Sequence, residues 1–355
     1  MKVNRCFSRS ILFLGVICFL CGNVAAGQEI LDLIERRGET IKKSLIIKVQ
    51  DSLSNVEELP ISIFKGRGTG PVFTIVAGVH GFEYPPIIAV QELMDEIELN
   101  KLAGTIIFIP IANSGSFYGR SPFVNPKDNI NLNNAFPGDT NGTVSQQIAF
   151  KISNEVIPLT DVFLDIHGGD APEDLIPFTC YYENKGKSAQ TGLAQRLSRA
   201  AGFPYVVSYP YTISDDEPAK YAFKQAVQAG KIGLSIECGK LGNVHGEAVA
   251  LIKTGVYNML YEMKMYGKPG SNKRKFIELN RQTYVRSKEK GIFYSSFQAG
   301  DTVEEGELLG YTTDVFGTVL TEYVATATGI ILYKIGTPPI NKGETVMCIG
   351  SNFND

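Results

Sequence analysis

Short, mainly apolar segments of strand length alternate with helical patterns along most of this chain, and this alternation constrains the fold more than any other feature. The strand-like segments cover residues 72–79, 105–111, 161–166 and 232–236. Apolar strands that are joined by helices are typical of a parallel or mixed sheet covered by helices on both faces. The sequence therefore predicts an α/β fold.

A different pattern begins at Phe276 and continues to the end of the 355-residue chain. Short alternating segments are separated there by glycines at strand-like spacing, which indicates a small all-β domain. The polar stretch before it, residues 264–275, is typical of a linker. We therefore expect one domain over residues 27–270 and a second, all-β domain over residues 276–355.

Two other regions have distinct patterns. Residues 28–44 look like one amphipathic helix. Residues 113–141 are polar, contain three prolines and show no apolar periodicity. A structureless stretch of that length inside a compact domain is usually functional, so we expect it to lie near a site.

The composition is that of a globular protein and excludes several classes. With 44% hydrophobic and 20% charged residues, the chain is neither disordered throughout, nor collagen-like, nor a coiled-coil rod. The formal net charge is −3 and there is no long basic run. Nothing therefore indicates nucleic acid as the partner.

The first 26 residues have the layout of a secretory signal peptide. A basic start is followed by an apolar run over residues 11–20 and then by the small residues Val24-Ala25-Ala26. Ten apolar residues are too few to span a bilayer, which takes about twenty in a helix. We expect cleavage after Ala26, export to the periplasm or the medium, and no stable membrane insertion afterwards. An uncleaved anchor is the alternative interpretation.

Removal of this segment would leave three cysteines and a net charge of −6, because three basic and no acidic residues are lost. Cys180, Cys238 and Cys348 are far apart in the sequence and do not form a disulfide framework. At most one bridge is possible, and the sequence does not say which. Neither a CxxC motif nor a cysteine–histidine cluster indicates a sulfur-based metal site.

Three of the predicted strands end in residues that bind metals or protons. His80 follows the strand over 72–79, His167 follows the strand over 161–166, and Glu237 follows the strand over 232–236. In open α/β sheets, ligands collect outside the carboxyl ends of the strands. If these strands run in parallel, all three residues face one crevice.

Glu83 lies three residues after His80, so a turn brings the two side chains to one side. Together with His167 they form two imidazoles and one carboxylate, which is the ligand set of a hydrolytic zinc site with an open position for water. Glu237 is then the natural general base. The alternative interpretation is structural: histidines that only form hydrogen bonds and a buried ion pair for Glu237.

Several motifs together resemble the succinylglutamate desuccinylase/aspartoacylase family, a branch of the zinc carboxypeptidase fold. The resemblance covers about residues 45–350 and includes the β-rich end of the chain. The motifs, in the order found in the family, are Gly78-Val79-His80-Gly81-Phe82-Glu83, Asn133-Asn134-Ala135-Phe136-Pro137-Gly138, Asp165-Ile166-His167 and Glu237-Cys238-Gly239-Lys240.

The resemblance implies a mixed sheet flanked by helices and one zinc ion per chain, with His80, Glu83 and His167 as its ligands. It implies that Glu237 activates water and then protonates the leaving amine. Arg120 falls where the family has an arginine that polarises the scissile carbonyl or binds the substrate; its alternative is a solvated loop charge.

One position departs from the family pattern. The family usually has Asn-Arg before the Phe-Pro-Gly turn, whereas this chain has Asn133-Asn134. Arginine binds a carboxylate with two hydrogen bonds and a full charge, which asparagine cannot replace. Asn133 is still expected to contact the substrate, but neither N-acetylaspartate nor succinylglutamate is to be assumed.

These observations predict an exported, zinc-dependent amide hydrolase. We expect it to deacylate N-acylated amino acids or related small amides. Two alternatives stay open at this point: a carboxypeptidase or amidase that acts on cell-wall peptides, and a non-catalytic binding protein on the same scaffold. The oligomeric state cannot be derived from the sequence.

Overall fold

The structure, a computed structural model, describes residues 26–36, 38–267 and 275–352. In these ranges the α-helices are α1 Ala26–Glu35, α2 Tyr84–Glu96, α3 Ser114–Gly119, α4 Val144–Lys151, α5 Ser188–Ala200, α6 Ala222–Gln228 and α7 Gly246–Glu262. The strands that precede residue 268 are β1 Ile41–Gln50, β2 Val56–Lys65, β3 Gly68–Ala77, β4 Ala103–Ile109, β5 Val124–Asn125, β6 Ile130–Asn131, β7 Val162–His167, β8 Glu173–Leu175, β9 Phe178–Glu183, β10 Tyr205–Pro210 and β11 Ile232–Glu237. The later strands are β12 Ile277–Leu279, β13 Arg281–Arg286, β14 Gly291–Tyr294, β15 Thr302–Val303, β16 Leu308–Thr313, β17 Val319–Val324, β18 Gly329–Ile335, β19 Pro339–Ile340 and β20 Thr345–Ser351.

A nine-stranded mixed sheet forms the centre of the molecule, in the order β1-β2-β4-β3-β7-β11-β9-β10-β12. Its four middle strands, β4, β3, β7 and β11, run in parallel. Ala77 pairs with Ile166, and His167 pairs with Glu237. The carboxyl ends of β3, β7 and β11 therefore lie at one edge of the sheet.

Helices cover both faces of this sheet, because the middle strands carry apolar side chains on each face. Phe163 packs on one face with residues of α1, α4 and α6, while Leu164 packs on the other with residues of α2, α5 and α7. Both side chains are fully buried. The predicted α/β class, with a mixed sheet flanked by helices, is confirmed.

The end of the chain folds into antiparallel sheets with their own apolar core. One has the order β13-β20-β18-β15, and the other has the order β17-β16-β14-β19. Two strands link this region to the central sheet: β8 pairs with β18, and β12 pairs in parallel with β10. The expected division between residues 27–270 and 276–355 stays a prediction, and part of the expected linker lies outside the described residues.

The segment expected to be a signal peptide lies, apart from Ala26, outside the described residues. Among the helices that the structure does describe, none combines the length and apolar character needed to cross a membrane. The predicted helix over residues 28–44 is wrong in its second half: α1 ends at Glu35, and Ile41–Gln50 pairs along its whole length with β2. Gly38 lies between them and adopts a φ of 75°, a backbone conformation that suits glycine.

Candidate active site and metal centre

Three neighbouring strand ends bring the candidate residues together. His167 is the last residue of β7 and stands directly opposite Glu237, the last residue of β11. His80 and Glu83 lie in the short connection between β3 and α2. All four side chains line one cavity of about 290 Å³.

The connection after β3 depends on a glycine. A Cβ atom at Gly81 would lie 2.2 Å from the carbonyl oxygen of Ser121 and 2.6 Å from that of Ser116. No larger residue fits without moving that backbone. This close packing fixes the turn that presents His80 and Glu83 on one side, and two prolines at the start of α2 stiffen the exit from it.

The three candidate ligands converge within a small volume. Glu83 Oε1 lies 2.8 Å from Nδ1 of His80 and 3.1 Å from Nδ1 of His167. One ligand atom from each residue lies within 4.8 Å of the others. Glu83 Oε2 is buried and has no hydrogen-bond partner among the described residues. A buried carboxylate that contacts two imidazoles through one oxygen and leaves the other without a partner is a feature of a site that holds a cation.

The outer nitrogen of each imidazole lies near an oxygen atom. Nε2 of His80 forms a hydrogen bond of 3.2 Å with Oδ1 of Asn131, and Nε2 of His167 lies 3.1 Å from Oδ2 of Asp165 in an ion-pair contact. Both contacts favour a proton on Nε2, and Nδ1 of each ring faces Glu83. The donor set of two imidazole nitrogens and a carboxylate therefore fits a divalent metal ion such as zinc.

The electrostatics of the site favour positive charge at its centre. Burial disfavours the ionised form of Glu83, but the charges of His167 and His80 outweigh burial and lower the pKa of Glu83 to about 2. Burial likewise disfavours charged imidazoles, but facing carboxylates raise the pKa of both histidines: Glu83 for His80, and Asp165 with Glu83 for His167. The centre therefore attracts cations.

Glu237 is placed for proton transfer. Burial raises its pKa to about 8; His167 acts against this shift, whereas Glu83, Glu173 and Asp165 add to it. A carboxyl that titrates near neutrality can both accept a proton and return it, which is what a general acid–base catalyst requires. Its strand position holds it beside His167 without any contribution from a loop.

The remaining candidates from the sequence fall in different places. Asn133 lines the cavity, and its Oδ1 is buried without a partner among the described residues. Arg120 follows α3 with a φ of 49°, is exposed, and is not among the lining residues. Asn134 is exposed as well. His245 lines a separate cavity of about 710 Å³.

Sequence reasoning missed several residues of the site. Asn131 and Asp170 are the clearest: Asn131 faces His80, and the buried carboxylate of Asp170 accepts a hydrogen bond from the backbone N–H of Phe123, whose ring packs edge-on against His80. Burial raises the pKa of Asp170 to about 6, and Glu83 adds to this shift. The only signal in the sequence was position, because Asp170 follows His167 by three residues.

Cys180, Cys238 and Cys348 are free thiols in buried positions. None of them pairs with another, so the described part of the chain contains no disulfide. Cys180 lines the cavity, and burial raises its pKa well above the usual range, with Glu237 as a further cause. A thiol in that state is neutral and inert rather than nucleophilic.

The fold and the site define an α/β protein with a two-histidine, one-carboxylate candidate metal centre at the carboxyl ends of parallel strands. Comparison with known proteins identifies the family. The profile of the succinylglutamate desuccinylase/aspartoacylase catalytic domain matches residues 69–263. The chain belongs to this family.

Individual relatives agree with this assignment. The chain is 28% identical over 303 residues to the N-alpha-acetyl-L-2,4-diaminobutyric acid deacetylase of Halomonas elongata, which covers 82% of this chain and 85% of that protein. The product-bound ectoine utilization protein EutE (DoeB) of Ruegeria pomeroyi is similar with a TM-score of 0.79 and 25% identity, covering 90% of this chain and 97% of that one. A succinylglutamate desuccinylase/aspartoacylase from Rhodobacter sphaeroides shares the fold, with a TM-score of 0.78, 23% identity, and coverage of 91% and 98%.

The converging ligand atoms lead to a prediction about metal content. The chain from Gly27 onward is expected to hold about one divalent ion, and His80→Ala is expected to lose it because two ligands rarely retain a metal that three hold. Elemental mass spectrometry after zinc addition and dialysis measures this. His245→Ala is the matched control, since it removes a histidine outside the site. Equal metal in both variants would contradict the assignment.

Proposed function

We propose that this protein is an exported, zinc-dependent hydrolase that cleaves the amide bond of N-acylated amino acids or related small amides. Family membership and the deacetylase relative support an N-acyl amino acid amide hydrolase. The observation that carries the proposal is the convergence of His80, Glu83 and His167 beside Glu237 in one cavity. A binding protein would have no need for that combination.

His80, Glu83 and His167 would hold the zinc ion. When bound, zinc supplies Lewis acidity, which polarises a carbonyl group and lowers the pKa of water. The carboxylate of Asp165 and the amide of Asn131 would keep the two imidazoles in the orientation that ligation needs. The buried oxygen Oε2 of Glu83, which has no partner among the described residues, supports this use of the site.

Glu237 would carry the proton through the reaction. Its carboxylate takes a proton from the attacking water as the oxygen adds to the scissile carbonyl carbon. It then returns that proton to the amide nitrogen as the carbon–nitrogen bond breaks. The products are a carboxylic acid and a free amine. Burial raises its pKa, which supports the return of the proton to the leaving amine.

Asn133 and Arg120 would position the substrate. The unpartnered Oδ1 of Asn133 is an acceptor inside the cavity and suits the N–H of the scissile amide. Arg120 belongs to the segment that packs against Gly81, next to His80, and has no ion pair within the described ranges. We assign it to the rim, where its guanidinium would bind the substrate's carbonyl or carboxylate oxygen.

The cavity size favours a small amide over an extended peptide. About 290 Å³ is near the lower end for a small-molecule site, which usually has about 300–1,000 Å³. Strands β8 and β18 close one side of it, because Leu175 and Tyr333 are paired on these neighbouring strands and both line the cavity. We therefore prefer deacylation of small molecules to cell-wall peptide cleavage.

The role of Glu237 gives the central prediction. Glu237→Gln keeps the shape of the side chain but cannot accept the proton, so kcat is expected to fall by about 10²–10⁴-fold while zinc is retained. The assay is release of free amine from a panel of N-acetyl and N-succinyl amino acids and wall peptides. Glu247→Gln, at an exposed position of α7, is the control. Full turnover by Glu237→Gln would refute the mechanism.

Asn133 and Arg120 are tested as a pair. Asn133→Ala is expected to raise KM about tenfold, since a hydrogen bond to the substrate is lost. Arg120→Ala is expected to lower kcat/KM about tenfold or more. Steady-state kinetics of both variants are compared with Arg67→Ala, a surface arginine near the far end of β3. If Arg120→Ala behaves like Arg67→Ala, Arg120 is only a solvated loop charge.

Export is also part of this proposal. It is supported by the signal-like residues 1–26 and by the position of Gly27, whose backbone nitrogen donates a hydrogen bond of 3.1 Å to Glu155 Oε2. After cleavage, the same nitrogen would be a charged amine beside that carboxylate. The protein is expressed in a bacterium and recovered from the periplasmic fraction. Its intact mass is expected to match a chain that begins at Gly27. A full-length mass in the cytosol would argue against export.

A further inference from the structure

The cavity at the candidate site has aromatic walls, and the space between these rings is called the chamber below. Tyrosine and phenylalanine rings from both parts of the chain line it. They are Phe123, Phe178, Tyr182, Tyr209, Tyr221, Phe223, Tyr284 and Tyr333. So many rings around one small space make a surface that recognises either an apolar group or a cation.

The C-terminal sheet supplies one wall of this chamber in a fixed register. Tyr284 of β13 and Tyr333 of β18 both pair with Cys348 of the strand between them. Leu175 of β8 pairs with Tyr333 on the other side. The four residues therefore form one row across the sheet. Tyrosines held on paired strands present their rings at defined positions, as a specificity pocket requires.

The negatively charged groups of the lining are carboxylates, beside tyrosine hydroxyls that both donate and accept hydrogen bonds. Glu173 begins β8, where it pairs with Ile335, and its Oε2 accepts a hydrogen bond of 3.2 Å from the backbone N–H of Asp170. Asn133 adds an acceptor oxygen that has no partner among the described residues. No lysine or arginine is among the residues of the described chain that line the cavity. A ligand that donates hydrogen bonds and carries positive charge is complementary to this lining.

The chain itself provides an example of such a contact. The ammonium group of Lys224, which is not a lining residue, lies 5.3 Å from the ring centre of Tyr182 and 6.0 Å from that of Tyr221. Both rings also border the cavity. Tyrosine rings of this lining therefore already attract one ammonium group, as expected for cation–π contacts within about 6 Å.

We propose that the chamber binds a positively charged side chain of the acylated amino acid, with Glu173 as its counter-ion. Tyr182, Tyr284 and Tyr333 form the aromatic walls around it. The inference rests on the proposed hydrolase function and names the substrate class: N-acyl amino acids that carry a side-chain ammonium. Dicarboxylate substrates would place an anion against Glu173 and are expected to be poor.

The test uses three substrates with side chains of nearly equal length and different charge. They are the Nα-acetyl derivatives of ornithine (cationic), norleucine (neutral) and 2-aminoadipate (anionic). The zinc-loaded enzyme is expected to prefer acetylornithine to acetylnorleucine at least tenfold in kcat/KM. Glu173→Gln is expected to remove most of that preference, because the glutamine oxygen still accepts from Asp170 N–H but carries no charge.

Two control variants make this test specific. Glu247→Gln changes the same charge outside the chamber and is expected to preserve the preference. Tyr333→Leu is expected to reduce it several-fold by removing one aromatic wall, whereas Tyr294→Leu changes an exposed tyrosine of the same C-terminal region and is expected to have no effect. If Glu173→Gln does not fold, the comparison of Tyr333→Leu with Tyr294→Leu still tests whether the chamber sets the preference for acetylornithine.

Several outcomes would overturn the inference. A wild-type preference for acetyl-2-aminoadipate or for Nα-acetylphenylalanine would make the chamber an anion site or an apolar ring site. An equal loss for all three substrates in Glu173→Gln would make Glu173 merely structural.

The proposed hydrolase function can be rejected independently of the proposed binding chamber. If no amide is cleaved, calorimetry with the product ornithine and with norleucine measures the chamber alone. Glu173-dependent binding of ornithine would then support the subsite while the proposed function is rejected. Equal binding of the two amino acids, or none, would reject the subsite too.

Discussion

The parallel pairing of β3, β7 and β11 is the constraint on which the site depends. Each strand is buried between two helical layers, so its register is fixed by the apolar side chains on both faces. That register sets Glu237 opposite His167 and brings the β3–α2 turn alongside them. A shift of one residue in β11 would turn the carboxyl of Glu237 to the opposite face of the sheet and away from the cavity.

The parts of this arrangement that could be predicted are those coded locally. The predicted strands over 161–166 and 232–236 match Val162–His167 and Ile232–Glu237 to within one residue at each end. A continuous apolar run followed by a polar residue and glycine marks a buried strand and its end without any knowledge of the partner strands. The positions of His80, His167 and Glu237 at the ends of such strands then indicate that their side chains face one crevice.

The parts that could not be predicted depend on contacts between distant segments. Glu173–Leu175 is too short to show a strand pattern, and it is a strand only because β18 lies beside it. Ile41–Gln50 forms a strand rather than the end of a helix because ten consecutive residues pair with β2. Tyr284 borders the cavity only because the C-terminal sheet packs against it. Long-range pairing overrides local propensity in all three cases.

The charges of the site follow one physical rule, that buried carboxylates require compensation. Glu83, Glu173 and Glu237 line the same small cavity, and among the described residues no arginine or lysine shares it. A metal ion at the histidines would compensate the charge near Glu83. Glu173 lies at the start of β8 and lines the same cavity, and a substrate ammonium would be its natural counter-charge. The excess of negative charge would thus account for both cofactor affinity and substrate choice, because each cation would compensate a different carboxylate.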